Sequence, residues 1–355
     1  MFAVCDALAR LIELNGLIES NLAWTRLHCY KTGADGRRHR LSPKQARTET
    51  NYSINVLNPI NSIRSQFANE SLVLLGHGTV LNAESAAPVY QHAAALRERG
   101  LFAGVHEAFW KQEPRIDTVL HSLTTRRVFI VPLFISEGYF GGEIIPRELG
   151  FPKSAESAGA RIIQRGAQTL FYCKPVGTHP LMTEVLLKRA REVVERFPFP
   201  RPPPPKDTTL FIAGHGTEKS EKSRAAIDTQ VEALRALHLY ADVHAVFLEE
   251  EPRIPACYGL AQTRNIVVVP FFMSDGLHTE EDIPVLLGES ERILKQRLKN
   301  SQPPWRNPTE KKGKLVWYSA SVGGDSRIAD IVIERVREAA KVAWKAESRK
   351  PKAEK

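Results

Sequence analysis

Apolar runs alternate with amphipathic stretches along most of the chain, and the pattern is clearest in its second half. There the apolar runs predict strands at 210–213, 242–247, 265–273 and 315–319. The amphipathic stretches predict helices at 220–237, 252–262, 282–298 and 328–343. Continuous apolar strands separated by helices are typical of a parallel sheet that is covered on both faces. With right-handed crossovers, this alternation predicts a doubly wound unit of about four strands.

The same pattern occurs twice. Gly76-His77-Gly78-Thr79 recurs 138 positions later as Gly214-His215-Gly216-Thr217, and other segments follow at the same offset. The further matching segments are 113–116 with 251–254, 131–138 with 269–276 and, at a longer offset, 176–177 with 322–323. The longer offset predicts an insertion in the second copy, at 301–314. A long-period repeat of this kind predicts an α/β fold of two tandem, duplicated doubly wound parallel-sheet domains, flavodoxin-like, that face each other across a cleft.

The duplication also predicts the organisation of the whole chain. The run Arg201-Pro202-Pro203-Pro204-Pro205-Lys206 is typical of a stiff, extended linker between the copies. The predicted segments are a 1–70 N-terminal extension without an assigned role, a 71–200 first repeat, a 201–206 proline-rich linker, a 207–345 second repeat and a 346–355 basic tail. Within the extension, the pattern predicts a helix over 1–25 and a loop over 31–55.

Charge and composition exclude several classes of protein. The net charge of +9 is concentrated in 1–70, 301–314 and 345–355, so the remaining core is close to neutral, and no nucleic-acid-binding motif is present. Four scattered cysteines without a Cys-x-x-Cys pair argue against an iron–sulfur centre and a disulfide scaffold. No apolar run approaches the roughly 20 residues of a membrane span. We therefore expect a cytoplasmic protein without a nucleic-acid or membrane partner.

Three side chains of the second copy fall at the carboxyl ends of predicted strands. His215 follows the first strand, Glu249 closes the second, and His278 follows the third. Ligands of open parallel sheets bind beyond these ends, so we expect the three side chains to lie together. Neutral imidazole is a good ligand for divalent cobalt, iron, nickel or zinc, and two histidines leave coordination positions open. The pattern therefore predicts a metal site at His215 and His278.

These motifs resemble those of the CbiX/SirB sirohydrochlorin chelatases, members of the class II chelatases. The similarity rests on the Gly-His-Gly-Thr motif after a strand, on the apolar strand that ends in Ser274-Asp275-Gly276, and on the loop that carries His278. It extends over about residues 71–343, in two copies. The resemblance implies a chelatase-like fold and insertion of a divalent metal, cobalt or ferrous iron, into sirohydrochlorin or a related tetrapyrrole. Such a product belongs to cobalamin or siroheme biosynthesis.

The resemblance also implies roles for individual residues. His215 and His278 match the metal-binding histidines, and Glu249 matches the catalytic acid, with Glu251 as a rival for that position. The metal is a substrate, cobalt favoured over iron, and no organic cofactor is implied. The first copy keeps His77 but has Phe140 in place of His278 and Lys111 in place of Glu249. It is therefore expected to form a wall of the substrate cleft, with the residues His77, Gly78, Tyr139, Phe140 and Gly141, opposite Gly216.

Two other interpretations remain open. The chain is alternatively a non-catalytic tetrapyrrole- or metal-binding protein derived from a chelatase, since the first copy has lost site residues. A phosphoryl-transfer enzyme with His215 as nucleophile would instead predict basic residues around that histidine. Because the duplication supplies both walls of the cleft, a monomer is possible. Among the other histidines, His92 is expected on the surface and His244 within a strand.

Overall fold

The computed structural model describes residues 30–32, 38–40, 66–79, 83–152, 159–217 and 221–348. The chain divides into two compact units, Met1–Ser65 and Gln66–Lys355. In the first unit, Tyr30–Thr32 (β1) pairs with the antiparallel strand Arg38–Arg40 (β2). This hairpin corrects the loop predicted over 31–55 at these positions. The helix predicted over 1–25 lies outside the described residues.

Each repeat contributes one five-stranded sheet to the second unit. The first sheet contains Ser71–Gly76 (β3), Gly104–Phe109 (β4), Arg127–Pro132 (β5), Ala160–Arg165 (β6) and Gln168–Cys173 (β7), in the order β4-β3-β5-β7-β6. The second contains Thr208–Gly214 (β8), Asp242–Phe247 (β9), Asn265–Pro270 (β10), Thr309–Lys311 (β11) and Lys314–Tyr318 (β12), in the order β11-β12-β10-β8-β9. The two orders are equivalent, which confirms the duplicated α/β fold.

The sheets are mixed, whereas the sequence predicts about four parallel strands in each unit. The edge strands β6 and β11 run antiparallel to β7 and β12, and the other neighbouring strands are parallel. Both edge strands are only partly buried. Strand β6 mixes polar with apolar residues and β11 is polar throughout, so neither has the apolar run that marks a central strand. The central strand β8 is buried along its whole length, as its apolar run predicts.

Helices flank both sheets. The α-helices are Ala87–Arg99 (α1), Ile116–Ser122 (α2), Ile145–Glu148 (α3), Met182–Arg196 (α4), Glu221–Ala236 (α5), Cys257–Leu260 (α6), Ile283–Leu286 (α7), Glu291–Lys299 (α8) and Ile328–Ser348 (α9). Two π-helical turns, Tyr139–Ile144 and His278–Asp282, precede α3 and α7. Among the described helices, none combines the length and apolar character needed to cross a membrane.

Two predicted helices of the second repeat are interrupted. The helix predicted over 282–298 is split into α7 and α8, because Gly288 adopts a left-handed conformation with φ of 93° between them. The helix predicted over 252–262 is a 3-10 turn, Ile254–Ala256, followed by the single turn of α6.

The last helix of each repeat packs on the sheet of the other repeat. Helix α4 contacts β10, β12 and α5 of the second repeat, whereas α9 contacts β5, β6 and β7 of the first. The buried side chains Met182, Val185 and Leu186 of α4 supply its contact face. Each sheet is therefore closed by a helix from the other repeat, and the hydrophobic cores of both repeats are completed together.

Candidate metal centre

Two neighbouring strands of the second sheet bring His215 and His278 together. His215 follows β8, and His278 opens the π-helical turn after β10, which pairs with β8 in parallel register. In the sheet, β9 lies on one side of β8 and β10 lies on the other. The site therefore lies at the point where the strand order reverses. The ring centroids of His215 and His278 lie 4.8 Å apart, at an interplanar angle of 84°. This confirms the predicted proximity of the two imidazoles.

Both imidazoles have one nitrogen engaged by the protein. His215 Nδ1 lies 2.7 Å from the carbonyl oxygen of Gly216 and so donates its hydrogen there. His278 Nδ1 lies 2.7 Å from Asp282 Oδ2 and donates to that carboxylate. In each neutral ring the Nε2 atom then carries the lone pair. The hydrogen bonds therefore select the tautomer in which the Nε2 lone pair of both histidines is available to a ligand.

Gly216 fixes the direction of the His215 loop. Its φ of 69° lies in the left-handed region, and Gly78 in the first copy has nearly the same value, 70°. A Cβ atom on Gly216 would lie 2.6 Å from Glu250 Cγ, so no other residue fits without a shift. Glycine is required here because both the conformation and the space exclude a side chain.

Asp282 is a site residue that our sequence analysis missed. It lies four positions after His278, and this spacing puts the two side chains on the same face of a helical turn. A carboxylate that accepts from a ligand histidine orients the ring and raises its basicity toward a metal. The spacing of four residues was the available signal, but carboxylates at this spacing are common on helices.

The structure distinguishes the two rival acids by their contacts. Glu249 Oε2 lies 3.7 Å from His215 Nδ1, so its carboxylate reaches the site. Glu251 is 82% exposed and accepts a hydrogen bond from the backbone amide of Arg253. Glu249 approaches the Nδ1 side of His215, away from the Nε2 lone pair. In this arrangement Glu249 is placed to take up a proton or to orient the ring.

A pocket of about 500 Å³ opens beside the two histidines. Its apolar wall consists of Leu248, Val285, Leu286 and Leu294, and its acidic residues are Glu249, Glu281, Asp282 and Glu291. Lys295 also lines the pocket, and its Nζ atom lies 3.7 Å from Glu291. Such a predominantly acidic surface attracts cations and repels phosphate. This argues against the phosphoryl-transfer interpretation, which predicts basic residues around His215.

Hydrogen bonds from the sheet hold the turn that carries His278. The Tyr318 hydroxyl donates to the carbonyl oxygen of Thr279, at 2.7 Å, and Thr279 Oγ1 accepts from the amide of Gly276. Burial raises the pKa of Tyr318 well above its ordinary value, so the hydroxyl keeps its hydrogen. A π-helical turn at this position is also typical of functional sites. The His278 side chain therefore projects from a fixed backbone.

The first copy keeps the geometry of the site but not its chemistry. The ring of His77 lies 5.4 Å from that of Phe140 at 77°, which closely reproduces the histidine pair of the second copy. Lys111 takes the place of Glu249 and lies 5.0 Å from the Phe140 ring centre. Burial and the charge of Lys111 lower the pKa of His77, so this ring is neutral near pH 7. Tyr139 and Phe140 are 50% and 42% exposed.

The π-helical turn of the first copy is packed as closely as its counterpart. Tyr172 donates a hydrogen bond of 2.7 Å to the carbonyl oxygen of Gly141. A Cβ atom on Gly141 would lie 2.7 Å from the Phe134 ring, so a side chain there would displace the turn. The exposed Tyr139 and Phe140 are thus held on a closely packed turn.

The candidate metal site consists of a histidine pair and not of a larger ligand cluster. Throughout the described ranges, no group of three or more His, Cys, Asp or Glu side chains has the arrangement to hold a metal ion. Each of the two imidazoles is 42% exposed, so both rings are accessible from solvent. Two protein ligands leave most coordination positions of a divalent ion open.

The mixed α/β fold and the site geometry define a chelatase-like protein, and comparison with known proteins gives its family. The CbiX family model matches residues 71–193 and 209–339, once for each repeat. The chain belongs to the CbiX family. A protein of Halobacterium salinarum named a probable sirohydrochlorin cobaltochelatase is 40% identical over 280 residues, covering 76% of this chain and 91% of the relative.

Solved structures agree with this fold. DR2241 from Deinococcus radiodurans, described as a multi-domain protein with structural similarity to chelatases, is 28% identical with a TM-score of 0.59. The similarity covers 76% of this chain and 54% of that one, so this chain spans about half of its length. SirB from Bacillus subtilis with Fe³⁺ has a TM-score of 0.55 at 16% identity, over 78% of this chain and 97% of SirB. At 16% identity, this similarity establishes a shared fold.

Proposed function

We propose that the protein inserts a divalent metal ion into sirohydrochlorin or a related tetrapyrrole. The observation that carries the proposal is the pair of imidazoles of His215 and His278, 4.8 Å apart, each with Nδ1 engaged and Nε2 available. The sirohydrochlorin cobaltochelatase name of the relative from Halobacterium salinarum supports the same substrate class. The proposed product belongs to cobalamin or siroheme biosynthesis.

Metal insertion exchanges one divalent ion for two pyrrole N–H protons. His215 and His278 hold the ion through Nε2, and the open coordination positions accept the ring nitrogens as they lose their protons. Glu249, whose Oε2 lies 3.7 Å from His215 Nδ1, receives one of the two protons and passes it to solvent, to which it is 57% exposed, and the other proton is released directly to solvent. Asp282 keeps His278 in the ligand tautomer during the exchange. The reaction needs neither an organic cofactor nor ATP.

Cobalt is the proposed metal, with ferrous iron as the rival. The name of the 40% identical relative supports cobalt, whereas imidazole ligands suit both ions. The test is an anaerobic insertion assay with purified protein, metal-free sirohydrochlorin and equal concentrations of Co²⁺, Fe²⁺ or Ni²⁺, followed by absorbance and corrected for the uncatalysed reaction. We expect the largest acceleration with Co²⁺. A larger acceleration with Fe²⁺ would reverse the metal assignment alone.

A non-catalytic tetrapyrrole- or metal-binding protein is the second candidate. The observation that favours it is the loss of the second histidine and the acid in the first copy, where Phe140 and Lys111 stand. The same assay separates the two functions. Binding of metal and tetrapyrrole without any acceleration of insertion, for all three metals, would establish the binding protein.

A further inference from the structure

The two copies of the site differ in charge at equivalent positions. Four carboxylates in the segments 249–250 and 280–282 of the second copy are replaced in the first, namely Glu249, Glu250, Glu280 and Asp282, whereas Glu281 is kept as Glu143. The corresponding positions of the first copy hold Lys111, Gln112, Gly142 and Ile144. The second copy therefore suits a cation. The first copy has lost these four acids and gained one ammonium group.

The Lys111 side chain is exposed beside an aromatic surface. Its Nζ atom lies 5.0 Å from the centre of the Phe140 ring, and its backbone amide donates to the carbonyl oxygen of His77. Within the described part of the chain, no carboxylate forms an ion pair with this ammonium, whereas the nearby Arg115 pairs with Asp117 at 3.5 Å. Lys111 is thus available to an anion that approaches the Phe140 ring.

The first-copy site is joined to the second copy at its edge. Ser136 Oγ lies 3.2 Å from Ser223 Oγ, and Glu137 lies 3.6 Å from Lys222 Nζ. Ser223 and Lys222 belong to the first turn of α5, the helix that follows the His215 loop. The π-helical turn of Phe140 begins two residues after Glu137, so the loop that carries Phe140 adjoins the start of α5.

We propose that Lys111 binds a carboxylate of the tetrapyrrole substrate, with Phe140 in contact with the macrocycle. The inference rests on the proposed function and extends it to the recognition of the substrate. Tetrapyrroles of this class carry carboxylates around a flat ring, so a cation beside an aromatic side chain matches both features. The same ammonium repels a divalent ion from His77, so the first copy does not compete for the metal. The second copy therefore binds the metal, and the first copy binds the tetrapyrrole.

The test compares binding of an acidic and an esterified ring. Metal-free sirohydrochlorin and its methyl ester are titrated against the wild type, Lys111→Met and Lys111→Arg, with tryptophan fluorescence as the readout. Lys341→Met, which removes an exposed lysine of α9, is the matched control. We expect Lys111→Met to weaken binding of the acid by about ten-fold, as for loss of a charged hydrogen bond, and to leave the ester unchanged. Lys111→Arg and Lys341→Met should bind the acid like the wild type.

The insertion kinetics and the Co²⁺ affinity of Lys111→Met are measured as well. In the insertion assay, Lys111→Met should raise the KM for sirohydrochlorin and leave both kcat and the affinity for Co²⁺ unchanged. Unchanged binding of the acid by Lys111→Met, or equal weakening of acid and ester, would overturn the assignment of Lys111. Wild-type protein that neither binds sirohydrochlorin nor inserts metal would instead overturn the proposed function, and with it this inference. Thermal unfolding of each variant verifies its fold.

Discussion

The hydrogen bond from His278 to Asp282 orients one imidazole of the proposed metal site. An imidazole has two nitrogens, and the one that binds a metal is set by the bond that the other makes. Asp282 accepts a hydrogen bond of 2.7 Å from Nδ1 of His278, whereas the backbone carbonyl of Gly216 accepts the hydrogen bond from Nδ1 of His215. The two ligands thus differ in how they are held, and the carboxylate partner makes His278 the more strongly donating of the two.

Replacing Asp282 tests this role. Asp282→Asn removes the negative charge but keeps the size of the side chain, so we expect Co²⁺ affinity to fall by about 10–100-fold. The matched control is Asp242→Asn, which alters another carboxylate–histidine pair, Asp242 with His244 at 3.0 Å, away from the site. Calorimetric titration with Co²⁺ measures both. Equal effects of the two substitutions would show that Asp282 has no specific part in metal binding.

The sequence predicted the proximity of His215 and His278 but not the burial of His92. His215 and His278 could be placed together because each follows a buried apolar strand, and such strands end at one edge of a parallel sheet. His92 was expected on the surface, but it is buried and its Nε2 lies 2.6 Å from the carbonyl oxygen of Gly323. The group that covers His92 comes from the other repeat, 231 positions away, and no local pattern encodes it.

At the scale of elements, the strands were predictable, but the packing of α4 and α9 on the sheet of the other repeat was not. Central strands such as β8 and β10 are marked by their own apolar runs, and that signal is local. An amphipathic helix shows only that it has one apolar face. The faces of α4 and α9 fit either sheet by pattern, and the long-range packing that selects the sheet of the other repeat is absent from local periodicity.

Arg335 is the polar anchor of the exchanged helix α9. It is 3% exposed and donates to the carbonyl oxygen of Pro175 and to Thr178 Oγ1, both in the first repeat. Arg335→Met leaves these acceptors unpaired, so we expect the free energy of unfolding to fall by about 3 kcal/mol. Arg337→Met, which removes only a partner of Glu334, is the control and should change it little. Urea unfolding measures both, and equal losses would contradict the anchoring role.

At the scale of the whole molecule, the junction between the repeats should weaken in acid. His179 packs against α9, and burial, together with Arg335, lowers its pKa to about 4, while Glu338 opposes this shift. The folded state therefore favours the neutral ring. Its contribution to stability is complete above the unfolded pKa of about 6.5 and is lost as the pH falls toward 4.

The size of this acid effect follows from the difference between the two pKa values. Between pH 7.5 and pH 5, His179 should contribute a loss of about 2 kcal/mol in the free energy of unfolding. His179→Gln keeps a polar side chain that does not titrate, so this variant should lose correspondingly less over the same range. Urea unfolding at both pH values supplies the comparison. An identical pH dependence of wild type and variant would rule out His179 as the source.

The whole molecule combines two equivalent sheets with two different sites. Exchange of α4 and α9 fixes the two sheets to each other, and the second copy alone keeps both histidines and the acid. In the proposed mechanism, the second copy holds the metal and the first copy holds the tetrapyrrole. Because the two copies have different roles in this mechanism, substitutions at equivalent positions of the two copies should have unequal effects on turnover.

The most direct test is the initial rate of Co²⁺ insertion into sirohydrochlorin by the wild type, His278→Ala and His77→Ala, measured anaerobically and corrected for the uncatalysed reaction. His278→Ala removes one of two metal ligands, so its rate should fall to the uncatalysed background. His77→Ala should keep appreciable activity, because its site carries Lys111 and no second histidine. An active His278→Ala together with an inactive His77→Ala would contradict this division of work, since the metal would then be handled by the first copy.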